Sequence, residues 1–310
     1  MMLNKPKFWD KKIGLISIVL LPLSFIYNLI IFFKKKFTKM IKFETPIICI
    51  GNIYIGGTGK TPTSIFLANE LKKIGKKPAI IRKYYKSHTD EYNLIRNYFK
   101  NLIINNDRVS GLLEAKNNGY NILILDDGLQ DYRIKKSLSI VCFNQNQLIG
   151  NGLVLPSGPL RESLSSLKNT NIVIINGKNN LSFEEKILKI NKDLNIFYSS
   201  YKPMNIDQFK NKKLLAIAGI GNPENFFQLL KENNLTLKKK RIFPDHYQFS
   251  KKEIQNIVNE AKIDNYQIIM TEKDYYKIKD FKIEGIEYLK VSIEIENIEK
   301  ILKLIEEIYD

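Results

Sequence analysis

The stretch from Thr45 to Gly75 limits the fold of this chain more than any other part of it. Thr45-Pro46-Ile47-Ile48-Cys49-Ile50 is an apolar run of strand length, as expected of a strand buried on both faces. A glycine-rich segment follows, ending Gly56-Gly57-Thr58-Gly59-Lys60-Thr61. Leu67, Leu71 and Ile74 then fall at i, i+4 and i+7, one face of a helix that Gly75 is placed to stop. Strand, glycine loop and helix in that order make a phosphate cradle. Glycines let backbone N–H groups close around phosphate oxygens, and the helix N-terminus adds positive potential. Lys60 would reach the β- and γ-phosphates of a nucleoside triphosphate, and the Thr61 hydroxyl would ligate Mg²⁺. The expected loop is Tyr54, Ile55, Gly56, Gly57, Thr58, Gly59, Lys60 and Thr61. The usual GxxxxGK[ST] spacing has glycine where this chain has Tyr54, so Gly56, Gly57 and Gly59 must supply the conformational freedom. A glycine-rich turn with a chance Lys-Thr is the plainer alternative, and the flanking strand and helix count against it.

A second acidic element fits the first. Asn121-Ile122-Leu123-Ile124-Leu125 reads as a buried strand with Asp126 and Asp127 at its C-terminal end, the edge where parallel sheets bind ligands. A carboxylate there can hold Mg²⁺ directly or through water, together with Thr61. Asp-Asp-Gly is also good turn chemistry. Residues 41–212 alternate strand-like and helix-like segments, and a fresh apolar run, Leu214 to Ala218, follows the basic stretch Lys210-Asn211-Lys212-Lys213. The fold class is therefore α/β: a P-loop NTPase-like parallel-sheet domain (41–212), a smaller α/β domain (213–310), and an N-terminal hydrophobic helix (1–40).

From Ile13 to Phe33 there are 21 residues without a charge, with Lys11 and Lys12 before them and Lys34, Lys35 and Lys36 after. That length just suffices for a membrane span. Pro22 is expected to kink the helix near its middle. No small-residue cleavage site follows, which disfavours a signal peptide. A single span, an interfacial helix with lysines meeting anionic headgroups, and a buried core helix all remain open; membrane association is the favoured reading.

The formal charge of +17, from 49 basic and 32 acidic residues, suits an acidic partner without choosing one. Zinc-finger spacing and RNP-like aromatic strands are absent, so nucleic acid is not expected. Cys49 and Cys142 each lie in an apolar run and read as small buried hydrophobes, not a disulfide framework. Arg161, after a rigid Pro-Ser-Gly-Pro loop, has the planar fork that grips phosphate, and Glu162 beside it could position a metal or a hydroxyl. The two histidines are His88 and His246.

Several segments resemble the tetraacyldisaccharide 4′-kinase (lipid A 4′-kinase) family, in family order. They are Gly51-Asn52 with Gly56 to Pro62, Asp126-Asp127-Gly128-Leu129-Gln130, and Gly150-Asn151-Gly152 with Leu155 to Glu162. Gly219 to Pro223 with Phe226-Phe227, Asp245-His246, and Thr271-Glu272-Lys273-Asp274 complete the set. The resemblance implies transfer of the ATP γ-phosphate, with Mg²⁺, to the 4′-hydroxyl of a lipid A disaccharide 1-phosphate. It implies a place on the cytoplasmic face of the bacterial inner membrane, with the lipid precursor and an anionic membrane surface as partners and no obligate protein partner. It also implies Asp90 as the base, His246 as its partner, and Arg108 and Gln130 as accessory residues. His88, near Asp90 in sequence, is a rival partner. The family usually has Phe and His where this chain has Leu129 and Asp131. Its SRGYG run appears only as Ile81-Arg82-Lys83-Tyr84-Tyr85, and the following segment to Thr89-Asp90-Glu91 is short.

The same loop also serves two other kinds of protein. A membrane-recruited ATPase switch of the deviant-Walker partitioning type would carry lysine at the position of Ile55, which counts against it. A basic nucleic-acid NTPase rests on charge alone.

Overall fold

The computed structural model describes residues 6–245 and 247–309. The N-terminal apolar stretch forms two helices, α1 (Leu15–Val19) and α2 (Leu21–Phe37), that part at Leu20. Pro22 lies in the first turn of α2, where its missing N–H is not needed. The predicted mid-helix kink is thus a break at the helix start. The side facing the protein is narrow and partly polar. Ser17 and Ser24 are buried, and Ser24 Oγ donates to Val154 O at 3.0 Å. The outward side is apolar: Leu15, Ile18, Val19, Phe25, Ile30 and Phe33 are all exposed. No helix among the described residues is long and apolar enough to cross a membrane.

From residue 47 the chain alternates as its apolar runs predict. It forms β1 (Ile47–Gly51), α3 (Lys60–Lys73), β2 (Pro78–Lys83), α4 (Thr89–Tyr98), β3 (Leu102–Asn105), α5 (Arg108–Asn117) and β4 (Ile122–Asp126). Then come β5 (Leu138–Asn144), β6 (Ile172–Asn176), α6 (Leu181–Leu188) and β7 (Asn195–Pro203). These seven strands pair in parallel, and β1, β4, β5 and β6 are buried along their whole length. Helices on both faces explain why these strands read as continuous rather than alternating apolar runs. Leu67 and Leu71 of α3 pack into this core, while Ile74 is exposed just past the helix end. Gly75 takes φ +82°, the left-handed turn that ends α3.

A second sheet follows: β8 (Lys213–Ala218), α7 (Pro223–Glu232), β9 (Thr236–Ile242), α8 (Lys251–Ile263), β10 (Gln267–Thr271), α9 (Glu272–Ile278) and β11 (Ile286–Leu289). Its strand order is β11-β10-β8-β9, all parallel. The expected unit 213–310 does not hold to its end. β12 (Val291–Ile295) returns to the first sheet and pairs antiparallel with β7, and α10 (Ile298–Glu306) buries Ile301 and Ile305 in the core that holds Ile48 and Leu71. The first sheet therefore has eight strands, in the order β12-β7-β6-β5-β1-β4-β2-β3. There the apolar face of α10 is covered by the larger core, and β12 caps the sheet's β7 edge.

Candidate active site

The site lies at the C-terminal ends of β1, β2 and β4, where the loop from β1 enters α3. Tyr54 is fully buried. Its hydroxyl donates to Asp10 Oδ1 at 2.9 Å, and its backbone bridges Leu160. Ile55 gives its N–H to Pro159 O at 2.9 Å. These contacts anchor the start of the loop through Tyr54 and Ile55. Gly56 and Gly59 have φ of +124° and +91°, so both need glycine's freedom. Among the described residues, no N–H from Gly56 to Thr61 donates to a protein carbonyl, and Thr58 Oγ1 is buried without a partner. Those donors suit phosphate oxygens.

Behind the loop, Thr61 Oγ1 donates to Asp126 Oδ2 at 3.0 Å, which joins the start of α3 to the end of β4. Asp126 is 1% exposed, and its other oxygen, Oδ1, is buried without a hydrogen-bond partner. Burial pushes its carboxyl up from the ordinary range, with Arg82 opposing. Asp127 follows in the left-handed region at φ +63°, a strained setting that turns its carboxylate toward cations. Its Oδ1 lies 3.6 Å from Lys60 Nζ and 3.1 Å from Arg161. Burial pushes Asp127 up, but Lys60, Arg161, Arg82 and Arg108 together outweigh it and hold the carboxyl at about 2. An orphaned carboxylate oxygen beside a threonine hydroxyl and a second, ionised aspartate fits Mg²⁺, which takes few protein oxygens and completes its shell with phosphate and water.

Arg108 opens α5 and donates to Asp127 O at 2.6 Å. Asp131, where the family has His, pairs with Arg133 at 2.8 Å. Gln130 donates to Asn52 O and to Glu162 Oε1, at 3.2 Å and 3.1 Å. Glu162 is buried and paired with Lys35 of α2, so it ties the N-terminal helix to the site. Tyr27 Oη, donating to Arg161 O at 3.0 Å, makes a second such tie.

Asp90 lies in the first turn of α4 and is 2% exposed. Lys273 and Lys277 of α9 approach its Oδ2 to 3.7 Å and 3.8 Å. His88 Nδ1 lies 3.5 Å from Glu91 Oε2. His246 lies outside the described residues, but its neighbour Asp245 pairs with Lys273 at 3.1 Å. Arg82 escaped the sequence reading except as part of a degenerate motif. It is buried on β2 and bonds Asp126 Oδ2 at 2.7 Å, Thr61 Oγ1 at 3.1 Å, and Glu91. A continuous line of polar contacts thus runs from Thr61 through Arg82, Glu91 and Lys273 to Asp90. Gly221 was also missed as a site residue. A side chain there would come within 2.6 Å of Gly57 N, so only glycine lets the β8–α7 loop close on the phosphate loop.

The profile of the tetraacyldisaccharide-1-P 4′-kinase family matches residues 16–309. The chain belongs to that family. Among tetraacyldisaccharide 4′-kinases, it is 44% identical over 301 residues to that of Pelagibacter ubique (strain HTCC1062), covering 95% of each chain. It is 34% identical over 298 residues to that of Rickettsia bellii (strain OSU 85-389), covering 89% of each. The fold also matches the crystal structure of LpxK from Aquifex aeolicus in complex with ATP, with TM-score 0.73 and 25% identity, covering 96% of this chain and 100% of that one. In this tetraacyldisaccharide 4′-kinase family member, the loop lysine and threonine, the aspartate pair and the buried Asp90 belong to one connected cluster.

Proposed function

We infer that this chain transfers the γ-phosphoryl group of ATP to the 4′-hydroxyl of a lipid A disaccharide 1-phosphate. The observation that carries the reading is the buried Asp90, linked through Lys273, Glu91 and Arg82 to the Thr61–Asp126 pair, in a chain matched over residues 16–309 by the 4′-kinase family. Phosphoryl transfer asks for positioning and charge neutralisation more than for covalent chemistry. The amides of Gly56 to Thr61 and the Lys60 ammonium bind the phosphates and neutralise charge on the leaving ADP oxygen. Asp90 accepts the proton of the sugar hydroxyl as that oxygen bonds to phosphorus. Thr61, Asp126 and Asp127 would hold Mg²⁺, which would supply charge neutralisation to the nucleotide's phosphates. Arg161 and Arg108 hold Asp127 and its backbone in place.

The acceptor's acyl chains need an apolar surface, and the outward face of α1 and α2 offers one, with Lys34, Lys35 and Lys36 at its end. This supports a helix pair lying in the surface of an anionic membrane, at the cytoplasmic face of the inner membrane where ATP is present.

Incubation of the protein with γ-labelled ATP and the tetraacylated disaccharide 1-phosphate tests the reading. Label is expected in the lipid, and Asp90→Asn should lower the rate about 100-fold or more. Phosphate release stimulated by nucleic acid or vesicles, with no labelled lipid, would replace the kinase by an NTPase.

A further inference from the structure

Helix α9 starts at the C-terminal end of β10 and points its first turn at the other sheet. Lys273 Nζ lies 3.0 Å from Glu91 Oε1, 3.1 Å from Asp245 Oδ1 and 3.7 Å from Asp90 Oδ2. Glu91 and Asp90 belong to α4, between β2 and β3 of the eight-stranded sheet. Asp245 belongs to the loop after β9, in the four-stranded sheet. Lys273 therefore joins carboxylates from both sheets around a single ammonium. Next to it, Tyr98 at the end of α4 donates to Glu272, the first residue of α9, at 2.7 Å.

Lys277, one turn further on, has a different setting. Its ammonium is 2.7 Å from Asp274 Oδ1 and donates to Gly219 O at 3.2 Å, while Asp274 accepts from Gly219 N at 2.7 Å. Those contacts lock α9 to the end of β8 within the second sheet. Lys277 lies about as near Asp90 Oδ2 as Lys273 does, at 3.8 Å, but it hydrogen-bonds to Asp274 and Gly219 of its own sheet, whereas Lys273 hydrogen-bonds to Glu91 of α4. Burial works against the charge on Lys273, but Glu91, Asp245 and Asp90 outweigh it and raise its proton affinity, so the ammonium stays charged. A buried ammonium among carboxylates fixes their orientation, because each would otherwise face like charge without water to screen it.

We propose that Lys273 is a positioning residue for phosphoryl transfer, holding the Asp90 carboxylate where it can take the acceptor's proton and tying that placement to the seating of the second sheet on α4. Nucleotide contacts stay with the loop of the first sheet. This rests on the kinase reading with Asp90 as base, and it adds a residue that acts through Asp90 without touching the reacting atoms.

The test uses the full chain with ATP and the disaccharide 1-phosphate in neutral detergent micelles. Lys273→Met should lower kcat about 100-fold, the scale of a displaced general base, with the KM for ATP within about twofold. Lys273→Arg keeps the charge but spreads it over a planar fork, and should lose only about tenfold. In an Asp90→Asn background the Met change should cost less than about threefold more, because a residue acting through Asp90 has nothing left to position. A Lys273→Met kcat within threefold of wild type, a loss carried by the KM for ATP, or full additivity with Asp90→Asn would each overturn the proposal. Should Lys273→Met melt below the assay temperature, the Arg variant decides: unchanged kcat rejects the proposal, and a tenfold fall at unchanged KM supports it. A wild-type protein that binds ATP but leaves the acceptor unlabelled would reject the kinase reading itself, and this proposal with it.

Discussion

The hydroxyl of Thr61 donates to Asp126 Oδ2 over 3.0 Å, so the first turn of α3 and the last residue of β4 meet where the metal and phosphate charge must be held. Thr61→Ala removes the hydroxyl and leaves the carboxylate held only by Arg82. It should lower kcat about 10-fold to 100-fold, while Asp126→Asn, which removes the charge, should lower it about 1,000-fold. Steady-state kinetics across a Mg²⁺ titration check both. The Thr61 variant should need more Mg²⁺ for half-maximal rate.

Arg82 is buried among Asp126, Glu91 and Thr61. Arg82→Met leaves two carboxylates without their shared cation and should destabilise the fold by about 3–5 kcal/mol. Denaturant unfolding measures this. A surface variant such as Lys72→Met should change stability by less than about 0.5 kcal/mol.

Cys49 and Cys142 lie wholly buried in β1 and β5, and burial pushes both thiols up to about 12. An unfolded thiol ionises near about 8.5. The folded state therefore favours the protonated form, and this contribution to stability is full below pH ~8.5 and lost as pH rises towards ~12. In the native protein at pH 8, neither cysteine should react with a disulfide reagent over minutes, and both should react at once in guanidinium. Rapid labelling of the native chain would contradict the burial.

The outward residues of α1 and α2 are apolar while Ser17 and Ser24 face the protein. A triple change of Phe25, Ile30 and Phe33 to Glu should abolish sedimentation with anionic vesicles and leave the melting temperature within about 2 °C, because those side chains touch little of the core. Full vesicle binding by this variant would remove the interfacial role given to the helices.

What the sequence made legible was local. The apolar run of β1, the glycine stop at Gly75 and the aspartates ending β4 are each dictated within a few residues by periodicity, φ requirements and strand ends. The cradle of Lys60, Thr61, Asp126 and Asp127 follows from placing two such strands side by side, since β1 and β4 are neighbours in the sheet. The return of β12 to β7 could not be read this way, because an antiparallel edge strand and an amphipathic helix look alike whichever core they cover. Lys273 was visible only as one letter of a motif. Its contact with Glu91 spans 182 residues, and nothing near either residue announces it. The Pro22 kink is instead a break at Leu20, because proline fits the first turn of a new helix as well as it disrupts an old one, and sequence alone does not choose between them.

The central claim is transfer to one particular hydroxyl, and ³¹P NMR of the purified lipid product tests it most directly. The account predicts a second phosphomonoester resonance beside that of the 1-phosphate, formed only with ATP and absent with Lys60→Ala. A product with a diphosphate at position 1, or a lipid returned with its single resonance while ATP is consumed, would contradict it.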